Sequence, residues 1–316
     1  MALDISLIEI FENITSRAAL ASYHFVGKKD KTAADKAAVD VMRNLLNNLD
    51  IQGKIVIGEG ELDEAPMLYI GEKVGTGQGL EMDIAVDPLE GTNFAANNLP
   101  GALSVLAVAE KNNLFHAPET YMNKIAVGSN IPRDAIDLDN SLKKNIYNLA
   151  DCKNKDITEL TACLLDRPRH KKIIEELNEL KVNLKLISDG DISGALLVSN
   201  EKYGVDIFMG IGGGPEGVLA ASALDAYNCN FQGRFIFEEE NDIYRAKKMG
   251  IKELDRKYEL SEIISGDSIF CATGITSGDL VKGIKLIDDK YSSETLVTHK
   301  NSNTKKVIKR TENLTS

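Results

Sequence analysis

Between residues 161 and 224 short apolar runs alternate with helix-length segments, and this rhythm restricts the fold more than any single motif. Residues 161–165, 183–187 and 205–209 read as strands, each bounded by polar or glycine-rich stretches. Residues 171–180, 192–198 and 216–224 read as the helices between and after them. Such alternation is the pattern of parallel βαβ units, whose ligand sites lie beyond the carboxyl ends of the strands. The stretches at those exits are Asp166-Arg167-Pro168-Arg169-His170, Ser188-Asp189-Gly190-Asp191 and Gly210-Ile211-Gly212-Gly213-Gly214-Pro215-Glu216-Gly217.

The first half reads differently. Ile8, Phe11, Ile14, Ala18, Ala21 and Phe25 recur at helical spacing after a capping Asp4 or Ser6, and Gly27 closes that helix. A second helix is expected over residues 32–49, with Val39, Met42, Leu46 and Leu49 on its buried side. Strand-like runs follow at residues 54–57, 82–86, 102–109, 114–117 and 124–127, and the short links between the last three predict an antiparallel meander. The expectation is an α/β (α+β) chain in two parts. Residues 1–150 form two helices on a largely antiparallel sheet, and residues 151–316 form an α/β subdomain on a mostly parallel one. The stretch after Lys300 reads as a basic, polar tail with a frayed end.

A net charge of −11 over 316 residues argues against nucleic acid or an anionic membrane as the main partner. The longest apolar run, residues 102–109, falls far short of the ~20 residues of a membrane span. Cys152, Cys163, Cys229 and Cys271 lack C-x-x-C spacing, so reduced thiols are expected rather than a zinc knuckle or a disulfide framework. The first residues lack the basic start of a signal peptide, and the expected location is the cytoplasm.

Chemistry concentrates at Asp87-Pro88-Leu89-Glu90-Gly91-Thr92. It follows a strand-like run, so two carboxylates stand at a strand's end with Pro88 stiffening the turn that spaces them. Gly91 allows close backbone approach to a ligand, and Thr92 adds a hydroxyl. Hard oxygen donors of this kind suit Mg²⁺ or Mn²⁺ rather than zinc or copper. Alone, the same residues also suit a solvated polar turn. Glu59, in the acidic loop Gly58-Glu59-Gly60-Glu61-Leu62-Asp63-Glu64, leaves its strand much as Asp87 leaves its own, so neighbouring strands could deliver both to one place. Asp35 lies in the first turn of the second helix, where an acid also serves the helix dipole. Gly212-Gly213-Gly214-Pro215-Glu216-Gly217 satisfies the dinucleotide fingerprint, with Glu238 at the acid's place. Pro215 and Glu216 oppose that reading, because the first removes a donor and the second puts negative charge where a pyrophosphate would sit. The four histidines are scattered without ligand spacing, and none is assigned a metal.

Taken in order, Lys31-Thr32-Ala33-Ala34-Asp35, the stretch from Ile57 to Met67, Asp87 to Thr92, Arg167-Pro168-Arg169-His170, Asp189-Gly190-Asp191 and Gly213 to Gly217 resemble class II fructose-1,6-bisphosphatases of the lithium-sensitive phosphatase superfamily. The resemblance runs from Arg17 to Thr298. It implies a layered αβαβα sugar-phosphatase fold, with residues 1–150 as a metal-binding subdomain and residues 151–316 as a substrate-binding one. It implies Mn²⁺ or Mg²⁺ held by Asp35, Glu59, Asp87, Glu90 and Glu216. Thr92, Lys31 and Asp63 become the catalytic candidates, while Glu90, Gly91, Thr92, Tyr121, Arg167, Pro168, Arg169, Asp189, Gly190, Asp191 and Gly213 would line the substrate pocket. The implied reaction is hydrolysis of the 1-phosphate of fructose 1,6-bisphosphate in gluconeogenesis, by a homo-oligomer of two or four copies. A sedoheptulose bisphosphatase or an inositol monophosphatase would share the metal core, and a non-catalytic sugar-phosphate or dinucleotide sensor would keep only the fold. Physical chemistry agrees with the hydrolase, since a phosphate dianion repels nucleophiles and divalent cations cancel that charge while lowering the pKa of bound water.

Overall fold

A computed structural model describes residues 3–59 and 68–314. The chain divides into two compact units, Met1–His116 with Ile264–Ser316, and Ala117–Ile263.

The first unit opens with α1 (Leu7–Tyr23) and α2 (Lys31–Asn47). The Asp30 carboxylate starts α2 by accepting the Ala33 backbone N–H at 2.9 Å. Then come β1 (Ile51–Ile57), β2 (Lys73–Val74), β3 (Leu80–Glu90), the short α3 (Thr92–Ala96) and β4 (Leu103–Glu110). The second unit holds β5 (Tyr121–Val127), α4 (Leu142–Lys153), β6 (Thr161–Leu165), α5 (Lys171–Glu179), β7 (Asn183–Ile187), α6 (Asp191–Leu196), β8 (Ile207–Gly213), α7 (Gly214–Ala226), β9 (Asn230–Ile236), α8 (Glu240–Lys248), β10 (Lys257–Glu259) and α9 (Leu260–Ile263). The chain then re-enters the first unit with β11 (Ser268–Gly274), β12 (Lys285–Ile287), β13 (Lys290–His299) and β14 (Thr304–Asn313).

Among the described residues the first sheet runs β12-β13-β11-β4-β3-β1-β2, with β14 beside β13. Every pairing in it is antiparallel except β1 with β3. Phe11 and Ile14 of α1 and Met42 and Leu46 of α2 are buried with Ile55, Ile84 and Val108 of the sheet, which is the helix-on-sheet packing their spacing demands. Each such side chain contributes about 1.5–3 kcal/mol by leaving water. The boundary expected at residue 150 differs from this division, and the polar tail is in fact β14. Arg310 Nε donates to Glu12 Oε2 at 2.7 Å, and an Arg17 η nitrogen donates to Glu312 at 2.7 Å, tying that strand to α1. A strand exposed on one side carries many charges, so its composition imitates a tail.

The second sheet runs β10-β9-β5-β8-β6-β7. The βαβ expectation holds for β6, β7 and β8, which are parallel. It does not extend further. β5 lies antiparallel between β8 and β9, and β10 is antiparallel to β9, so this sheet is mixed rather than mostly parallel. The predicted meander dissolves for the same reason. Residues 124–127 belong to β5 in the second sheet, and Leu114 makes only an isolated bridge to Ile264. Among the described residues no helix is long and apolar enough to cross a membrane.

Candidate active site

In the first unit the acidic motif is not a turn after a strand. β3 continues through it, with Asp87 opposite Val105 and Glu90 opposite Leu103, so Pro88 and Leu89 share a single partner position on β4. Residues three apart in a regular strand point to opposite faces. The extra residue of this bulge reverses that parity, and a bulge is also where a strand tolerates a proline. As a result one carboxylate oxygen of Asp87 and one of Glu90 lie within 4.8 Å of each other, Glu90 being buried and Asp87 half-buried. Gly91 then adopts φ 78°, a left-handed conformation that turns the chain into α3. Thr92 is the first residue of α3, and Gly91 rather than Thr92 is its N-cap.

Glu59 arrives by parallel pairing. Ile57 of β1 stands opposite Ala85 of β3, so Glu59 and Asp87 each lie two residues beyond that pair, at the same edge of the sheet. The Glu59 N–H donates to Leu68 O at 2.9 Å. The turn leading into α2 is pinned to α3, with Gly27 N–H donating to Ala95 O at 2.9 Å and Lys29 N–H to Ala96 O at 3.0 Å. Lys31 is the exposed first residue of α2, and Asp35 lies one turn further on. Burial pushes the Asp35 carboxyl up to about 6, which marks a group poorly solvated as an anion. Asp63 lies outside the described residues.

The second unit gathers the rest at the edge where β6 and β8 end and β5 begins. Arg167 faces Asp189 across an ion pair of 3.6 Å, and Pro168–His170 form a single 3-10 turn before α5. Arg169 Nε donates to Ile211 O at 2.8 Å, and its guanidinium lies 4.9 Å from the centre of the Tyr121 ring. Tyr121 is paired with Gly213 across β5 and β8. Gly190 adopts φ 82° and starts α6, whose first residue is Asp191. Glu216 lies in the first turn of α7. Desolvation pushes its carboxyl upward, Lys124 opposes the shift, and Asp191 and Glu119 reinforce it. Gly212 and Gly213 back onto these acids, and a Cβ on Gly212 would overlap the Asp191 carboxylate as one on Gly213 would overlap that of Glu216.

Two residues here carry more than their sequence context suggested. Lys124 is almost wholly buried, with its ammonium on Asp191 and donating to Gly213 O at 2.8 Å. Its signal was parity, because Met122, Lys124 and Ala126 share one buried face of β5. His170, which the sequence places in a run of basic residues at the exit of β6, is fully buried. The dinucleotide reading fails on topology. β8, α7 and β9 do form a crossover, but β5 lies between the two strands, and the Glu216 carboxylate fills the space beside Gly213.

Paired carboxylate donors at the end of β3 are the kind of metal-holding group that a metal-dependent phosphoric monoester hydrolase uses. The chain belongs to the family described as bacterial fructose-1,6-bisphosphatase, glpX-encoded, the class II enzymes, whose family model matches residues 6–312. It is 41% identical over 306 residues to the D-fructose 1,6-bisphosphatase class 2/sedoheptulose 1,7-bisphosphatase of Prochlorococcus marinus (strain MIT 9515), covering 92% of each chain. The protein of the same name from Thermosynechococcus vestitus is 39% identical over 327 residues, covering 95% of this chain and 94% of the other. Among solved structures, inositol monophosphatase from Anabaena (Nostoc) sp. PCC 7120 matches 61% of this chain and 71% of its own at 10% identity and a TM-score of 0.33, too distant to argue from.

Proposed function

We propose that the chain hydrolyses the 1-phosphate of fructose 1,6-bisphosphate, releasing fructose 6-phosphate and inorganic phosphate, as in gluconeogenesis. The observation that carries this is the Asp87–Glu90 pair, two carboxylates brought within 4.8 Å beside the turn that leads to Thr92. Oxygen donors alone fit Mg²⁺ or Mn²⁺. Asp87 and Glu90 would hold the cations together with Asp35, Glu59 and Glu216. Such ions supply charge neutralisation and a water of lowered pKa. The protein's own groups do the remaining work. The Thr92 hydroxyl orients the attacking water, and Lys31 and Asp63 complete the catalytic set at the cleaved phosphate. Glu90 and Gly91 border that phosphate as well as the cations. Arg169, with Arg167 and Pro168 beside it and Tyr121 beneath, holds the 6-phosphate. A planar fork of donors suits an anion that is bound but not transferred. Asp189, Gly190 and Asp191 meet the sugar hydroxyls, and Gly213 lines the pocket with the Glu216 carboxylate packed against it.

The names of the relatives favour a second substrate of the same kind, sedoheptulose 1,7-bisphosphate, which differs in the sugar between the two phosphates. None of the four cysteines is in a disulfide, and a cytoplasmic location belongs to this reading. An assembly of two or four copies belongs to the same reading, and light scattering on the purified protein tests it. The test of function is phosphate release from both bisphosphates, inositol monophosphate and glycerol phosphate, with Mn²⁺, Mg²⁺ or EDTA. Fructose 1,6-bisphosphate should be turned over with either cation and not with EDTA. Preference for inositol monophosphate, or full turnover by a verified metal-free sample, would overturn the assignment.

A further inference from the structure

His170 has no exposed surface, and both of its ring nitrogens are engaged by backbone. Its Nδ1 lies 2.7 Å from Leu165 O, at the end of β6, and its Nε2 accepts the Ile211 N–H at 2.7 Å. A carbonyl can only accept, so the proton sits on Nδ1 and the ring is neutral. Burial reinforces this by lowering the ring's pKa. A buried, satisfied histidine is ordinarily a core residue. What sets this one apart is the peptide it holds. The N–H of Ile211 goes to His170 while the C=O of the same residue accepts from Arg169 Nε at 2.8 Å, so consecutive side chains grip one residue from both sides. The strand is shaped for that grip. Gly210 adopts φ 129°, and a Cβ there would come 2.9 Å from His170 Nε2. With Nε committed to Ile211, Arg169 has its two η nitrogens left for an anion.

We propose that His170 is a positioning residue. Through the Ile211 peptide it sets the direction of the Arg169 fork, and thereby the preference for substrates carrying a second, distal phosphate. The inference rests on the reading of Arg169 as the distal-phosphate residue. The neutral imidazole never meets substrate. It fixes the rotation of a peptide whose carbonyl fixes the arginine, which fits the 4.9 Å placement of the guanidinium against Tyr121.

The test compares His170→Asn, His170→Gln and Arg169→Ala with the parent protein, using fructose 1,6-bisphosphate and glycerol phosphate. Asparagine keeps a donor near Leu165 O but cannot reach Ile211, whereas glutamine can still offer an acceptor to its N–H. His170→Asn should raise KM for the bisphosphate about tenfold, the effect of one misplaced charge-assisted contact, and leave kcat/KM for glycerol phosphate within about twofold. His170→Gln should recover most of the bisphosphate KM. A purely structural histidine would instead lower both substrates' kcat/KM together and show no recovery with glutamine; that result overturns the proposal. If Arg169→Ala is selective against the bisphosphate and His170→Asn is not, the positioning role alone is lost. If Arg169→Ala affects both substrates equally, the distal-phosphate reading falls and the positioning role falls with it. A measurement on the unaltered protein guards against variants that do not fold. Long-range ¹H–¹⁵N correlation of the His170 ring should show the Nδ1–H tautomer at neutral pH, and the Nε2–H tautomer would refute the arrangement outright.

Discussion

Glu90 faces the same way as Asp87 only because Pro88 and Leu89 together take the place of one residue opposite β4. Two carboxylates whose oxygens lie within 4.8 Å repel one another by at least about 3 kcal/mol at the effective dielectric of a protein surface. A divalent cation between them turns that cost into attraction. The bulge is therefore as much a part of the motif as the acids it aligns.

Inserting one residue after Ser104 would give Pro88 and Leu89 a partner each, which should restore regular β3–β4 pairing and carry Glu90 to the other face. Mn²⁺ affinity by calorimetry is then expected to fall at least about tenfold, the least that metal sites lose when a ligand is misoriented. Glu90→Gln and Asp87→Asn should each produce a similar fall without moving the backbone. Unchanged Mn²⁺ affinity in all of these variants would separate the bulge from metal binding.

Lys124 and Asp191 form an ion pair with side chains 1% and 9% exposed. Breaking such a pair from one side leaves a buried charge uncompensated, which costs roughly 3–5 kcal/mol. Lys124→Met should therefore lower stability in urea by about that amount, and adding Asp191→Asn should recover a large part of it. Simple additivity of the two losses would show that they do not act as a pair.

His170 gives the fold a pH dependence of known sign. Burial, with the positive charge of Arg169 nearby, holds its imidazole below the ordinary 6.5, although Asp191 pulls the other way. Between the lowered value and 6.5 the unfolded chain binds a proton that the folded chain refuses. Stability contributed by the neutral ring is thus fully present above 6.5 and is lost as the pH falls below it. Between about pH 7.5 and about pH 5.5 the parent protein should lose more in melting temperature than His170→Gln, which has nothing to titrate there. Parallel melting curves would contradict this.

The elements carried by periodicity were legible in the chain. Phe11, Ile14, Met42 and Leu46 revealed two helices and the face they bury, and the rhythm of residues 161–213 revealed β6, α5, β7 and β8. What stayed hidden depends on long-range pairing. β3 reads as ending at Val86, because Asp87 and Pro88 are turn residues until β4 is known to pair beyond them. β5 reads as the last strand of a meander that begins with β4, because nothing within it announces β8 and β9 as its partners. The return of β13 and β14 to the first sheet joins residues almost three hundred positions apart, Glu12 and Arg310 among them. In the candidate site the acids and arginines were legible as residue types. Lys124 was not, since a lysine at the start of a strand-like run passes for a solvated end until the strand is seen to begin at Tyr121.

Thr92 separates a chemical role from a structural one most cleanly. A threonine at a helix start usually caps it through its hydroxyl, and losing such a cap costs about 1 kcal/mol. Here the capping position belongs to Gly91, in a left-handed conformation that a threonine would not adopt, and Thr92 is the first helical residue. Thr92→Ala should therefore leave the melting temperature close to that of the parent. If its hydroxyl orients the attacking water, the same substitution should lower kcat by about 10²–10⁴-fold with little change in KM, the range for a group acting in proton transfer at the transition state. Thr92→Ser keeps the hydroxyl and should restore most of the rate. A variant with normal kcat and a lowered melting temperature would reverse the assignment, making Thr92 a support for α3 and leaving the orientation of water to another group.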